Sequence, residues 1–250
     1  MRFPDLDTDV LFRAAGTCRV WWASPSWGTD LGDLLQPVER VRASRLRRPE
    51  DRDRFVTGCV LLRLLLGNVL ATDPADVPIV RNCLACGRPH GKPRLAGRGW
   101  EFSVSHSGDR VGVALTRQMP VGLDVEHVAP AAVGDLVDHL LTAQEARHLA
   151  GVPAGPREAA ILRVWVRKEA VVKAIGTGLR TDLTSFGLGS PLRPPRATGP
   201  VAGIPASEIS VVDLSPGGPH VGSLAAIGRL GFVDEVGLDE AVAPARRPGR

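Results

Sequence analysis

Two acidic residues in the stretch VGLDVEHV, Asp124 and Glu126, have a spacing that could serve chemistry. The stretch alternates apolar and polar residues, which predicts a β-strand with Leu123 and Val125 on its buried face. Asp124 and Glu126 then share the opposite face, about 7 Å apart at the usual rise of a strand. Because like charges at that distance repel unless they are screened, the pair indicates either a solvated strand face or a cation site.

A third acid, Glu169, lies in the segment WVRKEAVVKAIGTGL, which predicts a helix that ends on glycine. Trp165, Glu169 and Lys173 recur every four residues and therefore share one helix face. A glutamate four residues before a lysine also stabilises an exposed helix by about 0.2–0.5 kcal/mol. The spacing alone therefore fits a surface ion pair as well as a functional site.

Short motifs earlier in the chain hold candidate anion-binding residues. The stretch WEFSVSHSGDRVGVAL predicts two strands joined by a turn, with Ser105 and His106 at the end of the first strand. Neighbouring strand side chains point to opposite faces, so these two residues do not form a catalytic dyad, although both can contact an anion at a strand end. GKP, residues 91–93, predicts a turn that exposes Lys92.

The choice of basic residues is unusual. Only three of the 31 lysines and arginines are lysines, namely Lys92, Lys168 and Lys173. A GC-rich coding bias explains the arginines, and under that bias a retained lysine indicates a place for a compact ammonium group. Chance retention is the alternative interpretation.

The composition limits the class of protein. The chain has 250 residues and a formal net charge of +4, which suits an anionic small substrate or an acidic protein partner better than nucleic acid. No apolar run approaches the roughly 20 residues that span a bilayer, and the N-terminus lacks the apolar stretch of a signal peptide. We therefore predict a cytoplasmic protein without a membrane segment.

The elements that must position the candidate residues form a weak repeat. A predicted helix over 51–70 precedes strands over 100–105 and 111–116, and a helix over 156–175 precedes strands over 208–214 and 221–228. The repeat predicts an α+β protein with two similar lobes, residues 1–119 and 120–242, and a disordered tail over 243–250. Neither half is large enough to be very stable alone, so we expect a shared core.

Five motifs in a fixed order make the sequence resemble a known family. They are the arginine-rich ERVRASRLRRPEDRDR, GKP, F-x-x-SHS, G-x-D-x-E and W-x-x-KE-x-x-x-K. The series resembles the 4′-phosphopantetheinyl transferases, in the larger two-lobed group that activates polyketide and non-ribosomal peptide synthetases, over roughly residues 38–188. The resemblance implies two helix-plus-antiparallel-sheet lobes in a pseudo-twofold arrangement, with coenzyme A in the cleft between them.

The resemblance also implies roles for single residues. Asp124, Glu126 and Glu169 match the metal-binding acids, for Mg²⁺ or alternatively Mn²⁺, and Glu169, Lys173 and Asp124 are the catalytic candidates. The positions that match contacts of coenzyme A are Arg42, Arg54, Lys92, Ser105, His106 and Lys173. Glu39 departs from the pattern, because the family often has a basic residue there. The set of arginines that binds the 3′-phosphate therefore stays open.

The reaction that the resemblance implies is the transfer of phosphopantetheine. A serine hydroxyl of an apo acyl or peptidyl carrier protein attacks the β-phosphorus of coenzyme A, and 3′,5′-ADP leaves. Glu169 is the candidate base, directly or through a metal-bound water, with Asp124 as the alternative. We expect an acidic carrier that docks near residues 140–149, a role in polyketide, non-ribosomal peptide or antibiotic biosynthesis, and a monomer, because one chain supplies both lobes.

Two other functions compete with this one. Cys83, Cys86 and His90 form a partial zinc pattern, C-x2-C-x3-H, which would fit a zinc-containing nucleic-acid-binding protein. The pattern lacks a fourth ligand, and the chain has no tyrosine to stack on bases. A non-catalytic binder of coenzyme A or carrier protein is the second alternative, although a pure binder has no need of three metal-binding acids.

Overall fold

The computed structural model describes residues 12, 14–81, 87, 91–97, 99–129 and 137–238. The zinc pattern of Cys83, Cys86 and His90 and the predicted tail over 243–250 lie outside the described residues. Within the described ranges, no helix combines the length and the apolar character needed to cross a bilayer.

Two long helices dominate the helical part of the fold. The α-helices of the described ranges are α1 (Pro37–Ser44), α2 (Pro49–Leu70), α3 (Val137–Leu140), α4 (Ala143–Ala150) and α5 (Ala154–Ile175). A proline opens α2, where its fixed φ suits the first helical turn, and α5 ends at Gly176, whose φ of 85° favours glycine. The helices predicted over 51–70 and 156–175 are thus confirmed, and each begins two residues earlier than predicted.

The strands form two main sheets and a two-stranded ladder. The strands are β1 (Thr17–Ala23), β2 (Ile79–Val80), β3 (Arg94–Leu95), β4 (Trp100–Ser107), β5 (Arg110–Arg117), β6 (Val121–His127), β7 (Ile209–Leu214), β8 (His220–Ile227) and β9 (Phe232–Gly237). The first sheet has the order β4-β5-β1-β9, the second has the order β6-β8-β7, and β2 pairs with β3. The predicted hairpins correspond to β4–β5 and β7–β8.

Each long helix covers one sheet. Leu61 and Leu65 of α2 pack with Phe102 and Val113 of the first sheet. Val164 and Val171 of α5 belong to a second cluster with Val211 and Ala225 of the second sheet. The structure therefore confirms a mixed α+β fold in which a helix and a largely antiparallel sheet occur twice.

A third apolar cluster joins the two sheets. Val20 and Trp22 of β1 pack with Leu123 of β6 and Leu224 of β8. The expected shared core is therefore present. The sequence analysis assigned no strand to β1 or β9, and β9, from the predicted second lobe, pairs in parallel with β1 of the first sheet. The lobe boundaries at 119 and 242 stay predictions.

Candidate active site

Gly122 sets the distance between β6 and α5. A methyl group on Gly122 would overlap the carbonyl oxygen of Ala170 and the amide nitrogen of Ala174. Glycine therefore lets the strand lie directly against the helix backbone. This close approach brings Asp124 to Lys173, whose Nζ lies 2.5 Å from the aspartate Oδ1.

The residues that the four-residue spacing predicted to share one face of α5 line a cleft. Trp165, Glu169 and Lys173 all border this cleft. Val166 and Ala170, which lie between them in sequence, are fully buried. The charged residues therefore interrupt the apolar helix at the positions where it leaves the core.

A row of serines on one face of β4, Ser103, Ser105 and Ser107, connects the first sheet to β6. Ser103 Oγ accepts a hydrogen bond from the amide of Leu123 at 2.9 Å. Ser105 donates to Asp124 Oδ1 at 2.9 Å. Since β4 and β6 are edge strands of different sheets, side chains rather than a backbone ladder join them here.

Ser107 makes the corresponding contact with the second acid. Its hydroxyl donates to Glu126 Oε2 at 2.6 Å and accepts from the amide of His127 at 3.1 Å. Trp165 of α5 also lowers the pKa of Glu126. Glu126 is therefore held across the joint between the sheets by a hydroxyl of β4.

The cleft lies between the lobes, has a volume of about 860 Å³ and contains most of the predicted site residues. Those that line it are Arg42, Lys92, Ser105, His106, Asp124, Glu126, Glu169 and Lys173. Arg54 does not line the cleft: its guanidinium donates to Gly108 O at 2.8 Å and to Asp51 at 2.6 Å. The roles assigned to all these residues stay predictions.

The acids carry more negative charge than the nearby lysine balances. Burial raises the pKa of Glu169, Asp124 raises it further, and Lys173 lowers it. Burial also raises the pKa of Glu126, against the hydrogen bond from Ser107, which lowers it. Three carboxylates around one ammonium group repel one another, and a bound cation would relieve that repulsion.

The same acids supply oxygen atoms suited to a hard cation. Asp124 Oδ2 and Glu169 Oε1 are buried, and neither has a hydrogen-bond partner among the residues that the structure describes. Buried acceptors without a partner are unfavourable unless another group binds them. The described residues do not bring three potential ligands together in the arrangement of a complete metal site. The residues therefore fit a site that Mg²⁺ would complete with oxygens from water or substrate, as Mg²⁺ usually does.

Lys92 bridges the two lobes. Its ammonium group donates to Val121 O at 2.9 Å and to Ala174 O at 3.5 Å, at the start of β6 and the end of α5. Burial lowers the pKa of Lys92 to about 8, and Glu101 opposes that effect. Lys92 is thus a partly buried cation at the edge of the cleft.

His106 and Arg42 occupy the side of the cleft that belongs to the first lobe. Desolvation by the surrounding protein lowers the pKa of His106, and repulsion from Arg54 and Lys173 lowers it further. The guanidinium of Arg42 lies over the ring of Phe55, 5.2 Å from its centroid. Both side chains line the cleft and can therefore contact an anion there.

Arg81 is a cleft residue that the sequence analysis missed. Its guanidinium lies 3.4 Å from Glu39 Oε1, and Arg63 Nε lies 2.9 Å from Glu39 Oε2. Glu39 is 2% exposed, so the acid that departs from the family pattern is a buried anchor for two arginines. That departure was the available signal, because a buried acid needs a basic partner.

Lys168 has a structural position. Its fully buried ammonium group donates to Glu145 at 2.7 Å and to the carbonyls of Leu140 and Leu183 at 2.6 and 2.8 Å. The lysine therefore fixes α4 and the end of α3 against α5. Of the three lysines, Lys92 and Lys173 border the cleft, and Lys168 holds together the elements behind it.

Comparison with known families matches both lobes. A family model described as the 4′-phosphopantetheinyl transferase superfamily matches residues 120–210. A second model, described as 4′-phosphopantetheinyl transferase, N-terminal, matches residues 19–118. The two matches together cover more than half of the chain and meet near the predicted junction of the lobes.

Individual relatives of this chain are named 4′-phosphopantetheinyl transferases. The 4′-phosphopantetheinyl transferase HetI of Nostoc sp. is 31% identical over 60% of this chain and 63% of its own length. The 4′-phosphopantetheinyl transferase psf-1 of Bacillus pumilus is 32% identical over 59% of this chain and 60% of its own. The 4′-phosphopantetheinyl transferase Sfp of Bacillus subtilis is 26% identical over 61% of this chain and 65% of its own length. The chain thus matches about three fifths of the length of these relatives.

Proposed function

The chain belongs to the 4′-phosphopantetheinyl transferase superfamily, and we propose that it transfers the 4′-phosphopantetheine moiety of coenzyme A to a serine of an apo carrier protein. One observation carries the proposal: Asp124, Glu126, Glu169 and Lys173 line a single cleft between the lobes. Phosphoryl transfer requires acids that bind a divalent cation and, next to them, a positive charge that binds the phosphate.

The cleft suits a large anionic substrate. Arg42, Arg81 and Lys92 line it from the first lobe, and Lys173 lines it from the second. A planar guanidinium group can form two parallel hydrogen bonds with a terminal phosphate such as the 3′-phosphate. An ammonium group is a compact charge that can bind a pyrophosphate. Arg81 thus joins Arg42 as a candidate for the 3′-phosphate, while Arg54 is committed to Asp51 and Gly108.

Asp124, Glu126 and Glu169 would hold Mg²⁺, or Mn²⁺ in its place. When bound, the ion would neutralise negative charge on the pyrophosphate oxygens. A cation held by these acids would also account for the oxygens of Asp124 and Glu169 that lack a hydrogen-bond partner among the described residues.

Glu169 is better placed than Asp124 to accept the proton of the attacking serine. Asp124 already bonds Lys173 and Ser105 through Oδ1. Burial raises the pKa of Glu169, which makes its carboxylate a stronger base than that of an exposed glutamate. The serine oxygen then bonds the β-phosphorus while the bond to the leaving phosphate breaks. Lys173 would stabilise the negative charge on the departing 3′,5′-ADP.

An acidic carrier protein is the partner that the surface charge favours. Several arginines on α1, on the following loop and in the first turns of α2 are exposed and form no ion pair with a described residue. They are Arg40, Arg45, Arg47, Arg48 and Arg52. This arginine surface stays net positive when the neighbouring Glu50 and Asp53 are counted, and Arg42 connects it to the cleft. Docking near 140–149, predicted from the sequence, is the alternative to this arginine surface.

The proposal also includes a cytoplasmic location, a monomeric state and a role in polyketide or non-ribosomal peptide pathways.

The direct test is to incubate the protein with coenzyme A, Mg²⁺ and a panel of apo acyl and peptidyl carrier proteins, followed by intact mass measurement of each carrier. We expect at least one carrier to gain the mass of one phosphopantetheine on its serine. If no carrier gains mass while coenzyme A still binds, the chain is a binder and the proposed transfer is wrong.

A further inference from the structure

Glu126 differs from the other acids of the cleft in what holds it. Asp124 forms an ion pair with Lys173, whereas Glu126 forms no ion pair with any residue that the structure describes. Its carboxylate accepts a hydrogen bond from a neutral donor, the hydroxyl of Ser107, at 2.6 Å. The position of this acid therefore depends on hydrogen bonds.

Ser107 holds Glu126 from the opposite lobe. The serine is the last residue of β4, in the first sheet, and the acid lies near the end of β6, in the second. The same hydroxyl accepts from the amide of His127 at 3.1 Å, so its own direction is fixed by the backbone of β6. The single hydrogen of the hydroxyl is donated to Glu126 Oε2, at 2.6 Å.

Ser103 provides an internal comparison. It lies on the same face of β4 and also bonds β6, but its partner is the amide of Leu123 rather than a carboxylate. Ser103 and Ser107 thus contribute similarly to the joint between the sheets. Only Ser107 bonds an acid that has no ion-pair partner among the described residues.

We propose that Ser107 is a positioning residue that orients the Glu126 carboxylate, across the joint between the two lobes, for binding the divalent cation. The inference rests on the cation site of the proposed function. A carboxylate held by a short hydrogen bond to an oriented hydroxyl loses less freedom when it binds a metal. In other proteins, removing the hydrogen-bond partner of a metal-binding side chain lowers metal affinity about 10–100-fold.

The test is a direct titration of Mn²⁺, with free Mn²⁺ followed by electron paramagnetic resonance, in the presence of saturating coenzyme A and without a carrier. Ser107→Ala is expected to weaken Mn²⁺ binding about tenfold, and Ser107→Thr, which keeps the hydroxyl, to restore most of the affinity. Ser103→Ala, the matched control, removes one bond between the sheets and is expected to keep the Mn²⁺ affinity within about twofold. Thermal unfolding of each variant measures the structural effect separately.

Equal Mn²⁺ affinity in Ser107→Ala and the wild type would overturn the positioning role, and so would a loss in Ser103→Ala as large as that in Ser107→Ala. Failure of the wild type to bind Mn²⁺ would overturn it as well. The transfer assay on the wild type is read independently. A wild type that loads a carrier but shows no difference among the serine variants contradicts only this inference and leaves the proposed function standing.

Discussion

Glu169 and Lys92 are ordinary side chains whose surroundings change their chemistry. Burial and the neighbouring Asp124 raise the pKa of Glu169, and burial lowers the pKa of Lys92 to about 8. Both changes bring the protonation equilibrium closer to neutral pH, where proton transfer and anion binding are most sensitive to it. Two predictions follow from these residues.

Glu169→Gln keeps the size of the side chain and removes its ability to accept a proton or bind a cation. We expect the transfer rate to fall at least about 100-fold, while coenzyme A affinity changes less than about tenfold, or about 1.4 kcal/mol. Transfer is measured by carrier mass and binding by calorimetry. Glu158→Gln, on the same helix outside the cleft, serves as control, and near-normal transfer by Glu169→Gln would rule out the assigned role.

Lys92 should make coenzyme A binding dependent on pH. Its folded-state pKa of about 8 means that the ammonium charge is present below pH 8 and is lost as the pH rises through that value. An anionic ligand favours the charged form, so affinity should decrease between pH 7 and 9. Calorimetric titration of Lys92→Met should give weaker binding at pH 7 and a smaller decrease over this range. An identical pH profile in the variant would show that another group is responsible.

Among the elements, the contact of β6 with α5 determines whether a site forms. β6 contributes Asp124 and Glu126, and α5 contributes Glu169 and Lys173. Ser105 and Ser107 of β4, in the other lobe, form hydrogen bonds with Asp124 and Glu126 respectively. Gly122 is the residue that lets the strand and the helix approach. The glycine of G-x-D-x-E therefore has a steric task, separate from the chemistry of the acids.

Gly122→Ala should separate β6 from α5, because its methyl group would overlap the backbone at Ala170 and Ala174. We expect a loss of about 1–3 kcal/mol in the free energy of unfolding, measured by urea denaturation, and a parallel loss of transfer. Gly237→Ala, in β9 with open space around the added methyl group, is the matched control and should stay close to wild type. Equal stability of the two variants would contradict the steric explanation.

At the scale of the whole molecule, the two lobes are parts of one folded unit. The cluster of Val20, Trp22, Leu123 and Leu224 lies between the sheets, and β9 returns to pair with β1. The shared core thus connects the two walls of the cleft. This arrangement predicts cooperative unfolding.

Unfolding of the wild type followed by calorimetry should show a single transition. Leu123→Ala removes a fully buried side chain from the shared core and should lower the free energy of unfolding by about 2–5 kcal/mol without splitting that transition. Two separate transitions, in either protein, would mean that the lobes are independent.

The arginine surface should accelerate encounter with an acidic carrier. Arg45→Glu combined with Arg48→Glu should lower kcat/KM for the carrier about tenfold at low salt, with a smaller difference at high salt, because exposed charges are screened. Coenzyme A affinity should stay unchanged. The control, Arg193→Glu with Arg196→Glu, makes the same change in net charge at exposed positions outside the cleft. An equal loss in both variants would contradict a specific docking surface.

Local patterns predicted much of this arrangement. The four-residue spacing of Trp165, Glu169 and Lys173 placed them on one helix face, and the alternation of VGLDVEHV placed Asp124 and Glu126 on one strand face. The hairpins β4–β5 and β7–β8 were also predicted, because alternation and turn residues act over a few positions. The pairing of β9 with β1 was missed, since it joins segments more than 200 residues apart and leaves no local pattern.

The sequence by itself determined which residue types are available and which of them share a face, because those relations depend on backbone geometry within one element. Only the tertiary structure decided their partners. It made Glu39 a buried anchor for Arg63 and Arg81, gave Lys168 a structural position, and placed Ser107 against Glu126. These contacts are between elements, so they depend on how α1, α5, β4 and β6 pack, and spacing along the chain does not encode them.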